Sequence, residues 1–208
     1  MNSAPFNSYP NRMGRIVMMA MEEILGHSGV NEVLDLAYLP EYIDQSPASN
    51  RDLNFPHEFT GRLQTALESA YGPLAGRGLS QRVGRACLKY GLREFGTSLG
   101  ITDQTFRLLP LPTRMKVGSE SLAGLFNQFA EQHVRLEFDK RYILWHIERC
   151  PLCLERQADD PCCALAVGFL QEALFWVSGG RFYLVEEKSC IACGDSECTI
   201  VIDQTPMS

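Results

Sequence analysis

The chain has 208 residues, 45% of them hydrophobic, and a formal net charge of −6. That length supports one well-cored domain and crowds two, and an acidic balance with a pI near 5.3 is the opposite of the basic footprint that a nucleic-acid partner requires. No apolar run reaches the roughly 20 residues that cross a bilayer, and MNSAPFNSYPNRMGR lacks an apolar stretch ahead of a cleavage site, so a cytoplasmic, soluble protein is expected.

Residues 1–10 carry two prolines and small polar residues and are expected to be a disordered tail. The rest, 11–208, reads as one domain, helical over 11–100 and mixed over 101–208. Met13, Ile16, Val17, Ala20, Ile24 and Leu25 recur at helical spacing up to Gly26. Met18, Met19 and Met21 widen the apolar surface of this helix, which suits either deep burial or a homodimer contact. A second short helix over 31–39 stops at Pro40, and a third from about Pro56 places Phe59, Leu63, Ala66, Leu67 and Ala70 on one face before Tyr71-Gly72-Pro73 breaks it. Gly76 and Gly78 mark a tight approach but form no dinucleotide fingerprint, and no phosphate-cradling loop occurs anywhere. The helix over 79–95 puts Leu79, Val83, Ala86, Cys87 and Tyr90 on one face, with Arg82, Arg85, Lys89 and Arg93 on a neighbouring stripe that is either a solvated face or a carboxylate-binding one. Gly84 and Gly91 are expected to admit another backbone.

Residues 101–118 read as loop with a short strand at 105–109, and a helix carrying Leu122, Leu125, Phe126, Phe129, Ala130 and His133 follows. The period then becomes two: Val134, Leu136 and Phe138 face Ile143, Trp145 and Ile147 across an Asp139-Lys140 turn. A helix over 162–177 ends at Gly179-Gly180, and strands over 181–187 and 198–202 complete an antiparallel sheet. Helices first, then a sheet with one helix inserted, make an α+β fold.

Three of the eight cysteines fall in EKSCIACGDSECT. Cys190 and Cys193 form a Cys-x-x-Cys pair, Gly194-Asp195-Ser196 supplies a turn, and Cys198 returns on the next strand. Thiolates converging there with Glu187 suit zinc, which accepts both soft sulfur and hard oxygen. Further thiols stand upstream, in Cys150-Pro-Leu-Cys153 and in Cys162-Cys163, so an iron–sulfur centre is the alternative. The remaining readings are reduced cysteines packed as small apolar residues, or disulfides of an oxidising compartment, against which the absence of a secretory signal stands.

CCALAVGFLQEALFWVSGGRFYLVEEKSCIACGDSECTIVI resembles the 4-vinyl reductase domain in its cysteine before a G-[FY]-L helix, its E-x-x-C and its G-D-x-x-C. LESAYGPLAGRGLSQRVGRACLKYGLREFG extends that resemblance upstream, toward prokaryotic hydrocarbon-binding proteins of the same family. The resemblance implies a fold shared with the ligand-binding domains of phenol sensors and with trafficking-particle subunits, and a zinc held by Cys163, Glu187, Cys190 and Cys198, with Cys150, Cys153, Cys162 and Cys193 as added candidates. It also implies a bacteriochlorophyll-biosynthesis protein that binds a vinyl-bearing chlorophyllide, either reducing it or presenting this tetrapyrrole to a separate reductase. Phe129, Trp145, Phe169, Trp176 and Tyr183 are then the candidate ring contacts, and Arg82 and Lys89 the carboxylate partners. Reduction needs an electron source, and no nicotinamide or flavin motif is visible. The other reading is a zinc-stabilised, non-catalytic sensor or interaction module for a small hydrophobic ligand.

Overall fold

The computed structural model describes residues 8–130 and 132–207. Of the expected tail, residues 1–7 lie outside the described residues, whereas Ser8–Pro10 form a strand, β1, paired antiparallel with β2 (Leu53–Pro56), so that Tyr9 faces Phe55. Tyr9 is an apolar ring with a polar tip, and its burial ties this segment down.

Helix α1 (Asn11–Leu36) is bent where Gly26 takes a φ of 72° that a side chain would resist, which turns the expected pair of helices into one kinked element. Met18 and Met21 are buried within the chain itself, so α1 needs no partner subunit to cover its apolar side. Helix α2 (His57–Tyr71) follows, and α3 (Pro73–Leu99) starts at Pro73, where the missing N–H costs nothing in a first turn. Proline again opens rather than breaks structure at α5 (Leu111–Ala130), which starts in the stretch expected to be loop. The strand expected at 105–109 is instead the short helix α4 (Gln104–Leu108), because the Asp103 side chain accepts a hydrogen bond from the Thr105 N–H at 2.9 Å and caps it. His133 lies beyond α5 with a φ of 52°.

Strands β3 (Val134–Phe138), β4 (Tyr142–Ile147), β5 (Tyr183–Ser189) and β6 (Cys198–Pro206) form one antiparallel sheet in the order β3-β4-β6-β5. The hairpin has the register read from its alternation, Val134 opposite Ile147, Leu136 opposite Trp145 and Phe138 opposite Ile143. One face, carrying Ile143, Trp145, Ile147, Cys198, Ile200 and Ile202, is buried under the helices. Helix α6 (Ala164–Ser178) crosses α3 backbone to backbone: a Cβ on Gly84 would stand 2.0 Å from the Leu165 carbonyl oxygen, and one on Gly168 2.0 Å from that of Gln81. This contact fixes the start of α6, and so the cysteines that precede it. Gly91, also expected to meet a backbone, meets nothing within 4 Å.

Candidate functional site: a sulfur cluster beside an apolar cavity

Three segments bring six thiols together. The turn over 150–153 is closed by the Cys153 N–H donating to the Cys150 carbonyl at 3.2 Å. Cys162 and Cys163 immediately precede α6, whose first turn is held by buried Gln64, its Oε1 accepting from the Leu165 N–H at 3.0 Å. Cys190 and Cys198 sit on either side of the turn between β5 and β6, where the Asp195 carboxylate accepts from the Cys190 N–H at 2.8 Å. Arg156 pins the intervening loop, donating to the Cys162 carbonyl at 3.2 Å and to Glu68 at 2.9 Å.

Cys153 is at the centre. Its Sγ lies 3.1 Å from that of Cys163 and 3.3 Å from those of Cys190 and Cys198, and Cys163 to Cys198 is 3.9 Å. A tetrahedral ion with metal–sulfur bonds of about 2.3 Å has sulfur–sulfur edges of about 3.8 Å. Ligand atoms of Cys153, Cys163, Glu187, Cys190 and Cys198 all lie within 4.8 Å of one another. Cys150 touches this group from one side, 3.4 Å from the Cys163 sulfur, and Cys162 from another, 3.8 Å from Cys190. Cys193 is exposed and outside it, and Cys87 is buried on α3.

Sulfurs this close cannot all carry charge without a cation. The Cys190 thiol is pushed far below its ordinary range by hydrogen bonds from Cys153 and then Cys162 and Cys163, whereas Cys163 is pushed far up, first through its bond with Cys150. Burial raises the Glu187 carboxyl to about 8, against the opposing bond from the Cys163 N–H at 2.7 Å, and its other oxygen is buried without a partner. An orphaned buried oxygen beside four close sulfurs fits a metal ion, whose charge would satisfy both.

Against this cluster lies a cavity of about 110 Å³ between α1, α3, α5, α6 and β4. Its wall is almost all carbon. Trp145 and Phe169 belong to it, together with Phe126, Phe95 and Gly91, none of which was expected as a ligand contact. Cys150, Pro151 and Leu152 form one side, so the turn that carries two of the clustered thiols also closes the cavity. Polar groups enter at Tyr9, Gln132 and Thr60. The other expected ring contacts are elsewhere: Phe129 packs on Phe95 at 5.7 Å, Trp176 stacks on Phe106 at 6.5 Å, and Tyr183 is buried in the sheet. Arg82 and Lys89 are exposed and away from the cavity, Lys89 pairing with Glu23 at 2.8 Å.

No family model matches the chain, and no curated protein matches it. Solved structures do. An H-NOX protein from S. oneidensis in the Fe(II)NO state is 15% identical over 92% of this chain and 99% of its own, with a TM-score of 0.57. An oxygen-binding H-NOX domain related to soluble guanylate cyclases, solved as its oxygen complex, is 12% identical over 92% of this chain and 93% of its own, with a TM-score of 0.54. The phenol-responsive sensory domain of the transcription activator PoxR, solved with phenol, is 17% identical over 76% of this chain and 78% of its own, with a TM-score of 0.53. These likenesses describe the fold, an α+β arrangement shared with ligand-binding sensor domains. They overturn the assignment to the 4-vinyl reductase family, and with it the roles in bacteriochlorophyll synthesis and photosynthesis. None of these three structures is a trafficking-particle subunit. Among the described residues no helix is long and apolar enough to cross a membrane.

Heme distortion is studied in the H-NOX family, but the residues here do not fit that group. Among the described residues no histidine, lysine or arginine lines the cavity, so an imidazole ligand and partners for propionates are both missing from its wall. Burial pushes the lining thiol of Cys87 up to about 12, away from thiolate. The volume also falls below the 300 Å³ or so at which drug-sized ligands begin to be accommodated.

Proposed function

We infer that this chain is the ligand-binding domain of a sensor for a small hydrophobic molecule, without catalysis. The observation that carries the reading is the cavity of about 110 Å³ with its carbon wall. A dry cavity of about 150 Å³ lined by aliphatic and aromatic side chains takes up benzene, so the matching ligand is about one six-membered ring. The same limit argues against a tetrapyrrole. Similarity in fold to the phenol-responsive PoxR domain supports a ligand of this scale.

The adjacent ion is zinc, held by Cys153, Cys163, Cys190 and Cys198, with the Glu187 carboxylate close enough to exchange with one sulfur. Support comes from the closeness of these sulfurs, 3.1–3.9 Å for four of their six pairs and all within 4.8 Å of one another, which suits one ion better than a cluster with inorganic sulfide between them. Its role is structural: it ties the 150–153 turn, the start of α6 and the β5–β6 turn together.

The test is titration of the purified, metal-loaded chain with benzene, followed by calorimetry and by the fluorescence of Trp145 in the cavity wall, alongside metal analysis. Saturable binding near one equivalent, with about one zinc per chain, is expected. Absence of benzene binding by a folded, metal-replete chain would overturn the reading.

A further inference from the structure

The polar corner of the cavity has a specific composition. Tyr9 and Gln132 both line the wall and are buried. They are joined by a hydrogen bond of 2.5 Å between the Gln132 side-chain nitrogen and the Tyr9 hydroxyl, 123 positions apart in the chain. The remaining hydroxyl of the wall is already engaged, since Thr60 Oγ1 donates to the His57 carbonyl at 2.8 Å.

Counting hydrogens shows what the pair can offer. Tyr9 brings one O–H and the Gln132 amide two N–H groups, and their mutual bond uses only one of these three. If the amide nitrogen donates, the tyrosine proton is unspent; if the amide is turned over, both of its N–H hydrogens are. In either orientation a donor is left at the edge of a carbon-lined space, and the phenol stays protonated because burial raises its pKa well above the ordinary value. A buried donor of this kind discriminates, because a ligand that cannot accept leaves it unpaired.

We propose that the Tyr9–Gln132 pair is the polar anchor of the cavity, selecting a single-ring molecule that carries one hydrogen-bond-accepting oxygen over an oxygen-free ring. The proposal rests on the reading of the cavity as a ligand site and adds which chemistry that site prefers. The acceptor would stand at the end formed by β1 and the residues before β3, with the ring against Trp145, Phe126 and Phe169.

The test uses the full metal-loaded chain with two nearly isosteric probes, cyclohexanone and methylenecyclohexane, read by calorimetry and Trp145 fluorescence. Tyr9→Phe should weaken cyclohexanone about tenfold, the scale of one lost hydrogen bond, and leave methylenecyclohexane within about twofold. Gln132→Met, which frees Tyr9 to turn away, should act in the same direction and serves if Tyr9→Phe does not fold. Equal weakening of both probes, or of neither, would overturn the anchor while leaving the cavity as a binding site. Failure of the unaltered chain to bind either probe would overturn the cavity reading itself, and the anchor with it.

Discussion

Replacing Gly91 by alanine should make the protein more stable and a poorer binder. Gly91 lies inside α3 and borders the cavity, its φ is not in the left-handed region, and an added Cβ meets nothing within 4 Å. Glycine in a helix interior costs about 1 kcal/mol relative to alanine, which gives a rise in Tm of roughly 2–4 °C for a chain of this size. The added methyl group takes space from a cavity of only about 110 Å³. Overpacking costs about 1–3 kcal/mol, so benzene should bind roughly 5- to 150-fold more weakly. Gly78→Ala is the control, since Gly78 is exposed on the same helix and equally unobstructed; it should gain the propensity contribution with no change in binding. Thermal unfolding and calorimetry on the three chains decide the matter. If Gly91→Ala binds benzene as the unaltered chain does, the ligand is not held in this cavity.

Cys198→Ser should lose the bound metal and lower the Tm, because the binding energy of a structural ion is folding energy, whereas Cys193→Ser, at an exposed thiol outside the cluster, should keep both; metal analysis of the two variants checks this. Gly84→Ala should destabilise by several kcal/mol or abolish folding, as its Cβ would lie 2.0 Å from the Leu165 carbonyl, which denaturant unfolding measures. His57 is buried, and that burial lowers its pKa from 6.5 to about 4. Below pH 6.5 the unfolded chain gains a proton that the folded chain refuses until about pH 4, so stability should fall as pH drops through that window. His57→Phe, which retains a ring against Tyr9, should flatten that part of the profile, and equal slopes for the two chains would refute the assignment.

The parts of this molecule that were legible in the sequence are those set by local period and by a scarce residue. The β3–β4 hairpin, the end of α6 at Gly179 and the convergence of the Cys190 and Cys198 region follow from alternation, a left-handed glycine and cysteine density. Cys153 as the central thiol was less visible, since its place depends on a turn closing against distant elements. The cavity was not legible at all: its wall draws on helices and strands far apart in the chain, and a residue such as Phe126 has the same helical spacing whether it faces protein or space. The aromatic residues chosen by stripe were therefore divided, Trp145 and Phe169 at the cavity and Phe129, Trp176 and Tyr183 elsewhere. Tyr9 was hidden by its setting among polar residues and prolines, which describe a tail until β2 supplies a partner strand. The family resemblance failed for a related reason. Cysteine and glycine positions record how a backbone crosses and what ion it holds, and the volume left between the helices is recorded nowhere in them.

The turn over 150–153 gives the two halves of the site a common fate. Cys153 touches three other thiols, while its neighbours Cys150, Pro151 and Leu152 are cavity wall. Thr60 and Gly61 on α2 lie behind the turn, with Thr60 Oγ1 3.4 Å from the Pro151 carbonyl oxygen and Gly61 so near that a Cβ would stand 3.1 Å from the Leu154 carbonyl oxygen. Without the sulfurs the turn keeps these contacts and the Arg149 N–H bond to the Gln132 carbonyl at 3.1 Å, but loses its tie to the start of α6 and to the β5–β6 turn, and the cavity wall should loosen with it. A preparation treated with chelator or oxidant would then score as unable to bind anything, although every residue that touches the ligand is intact. Handling history, as much as sequence, decides what such a domain is seen to recognise.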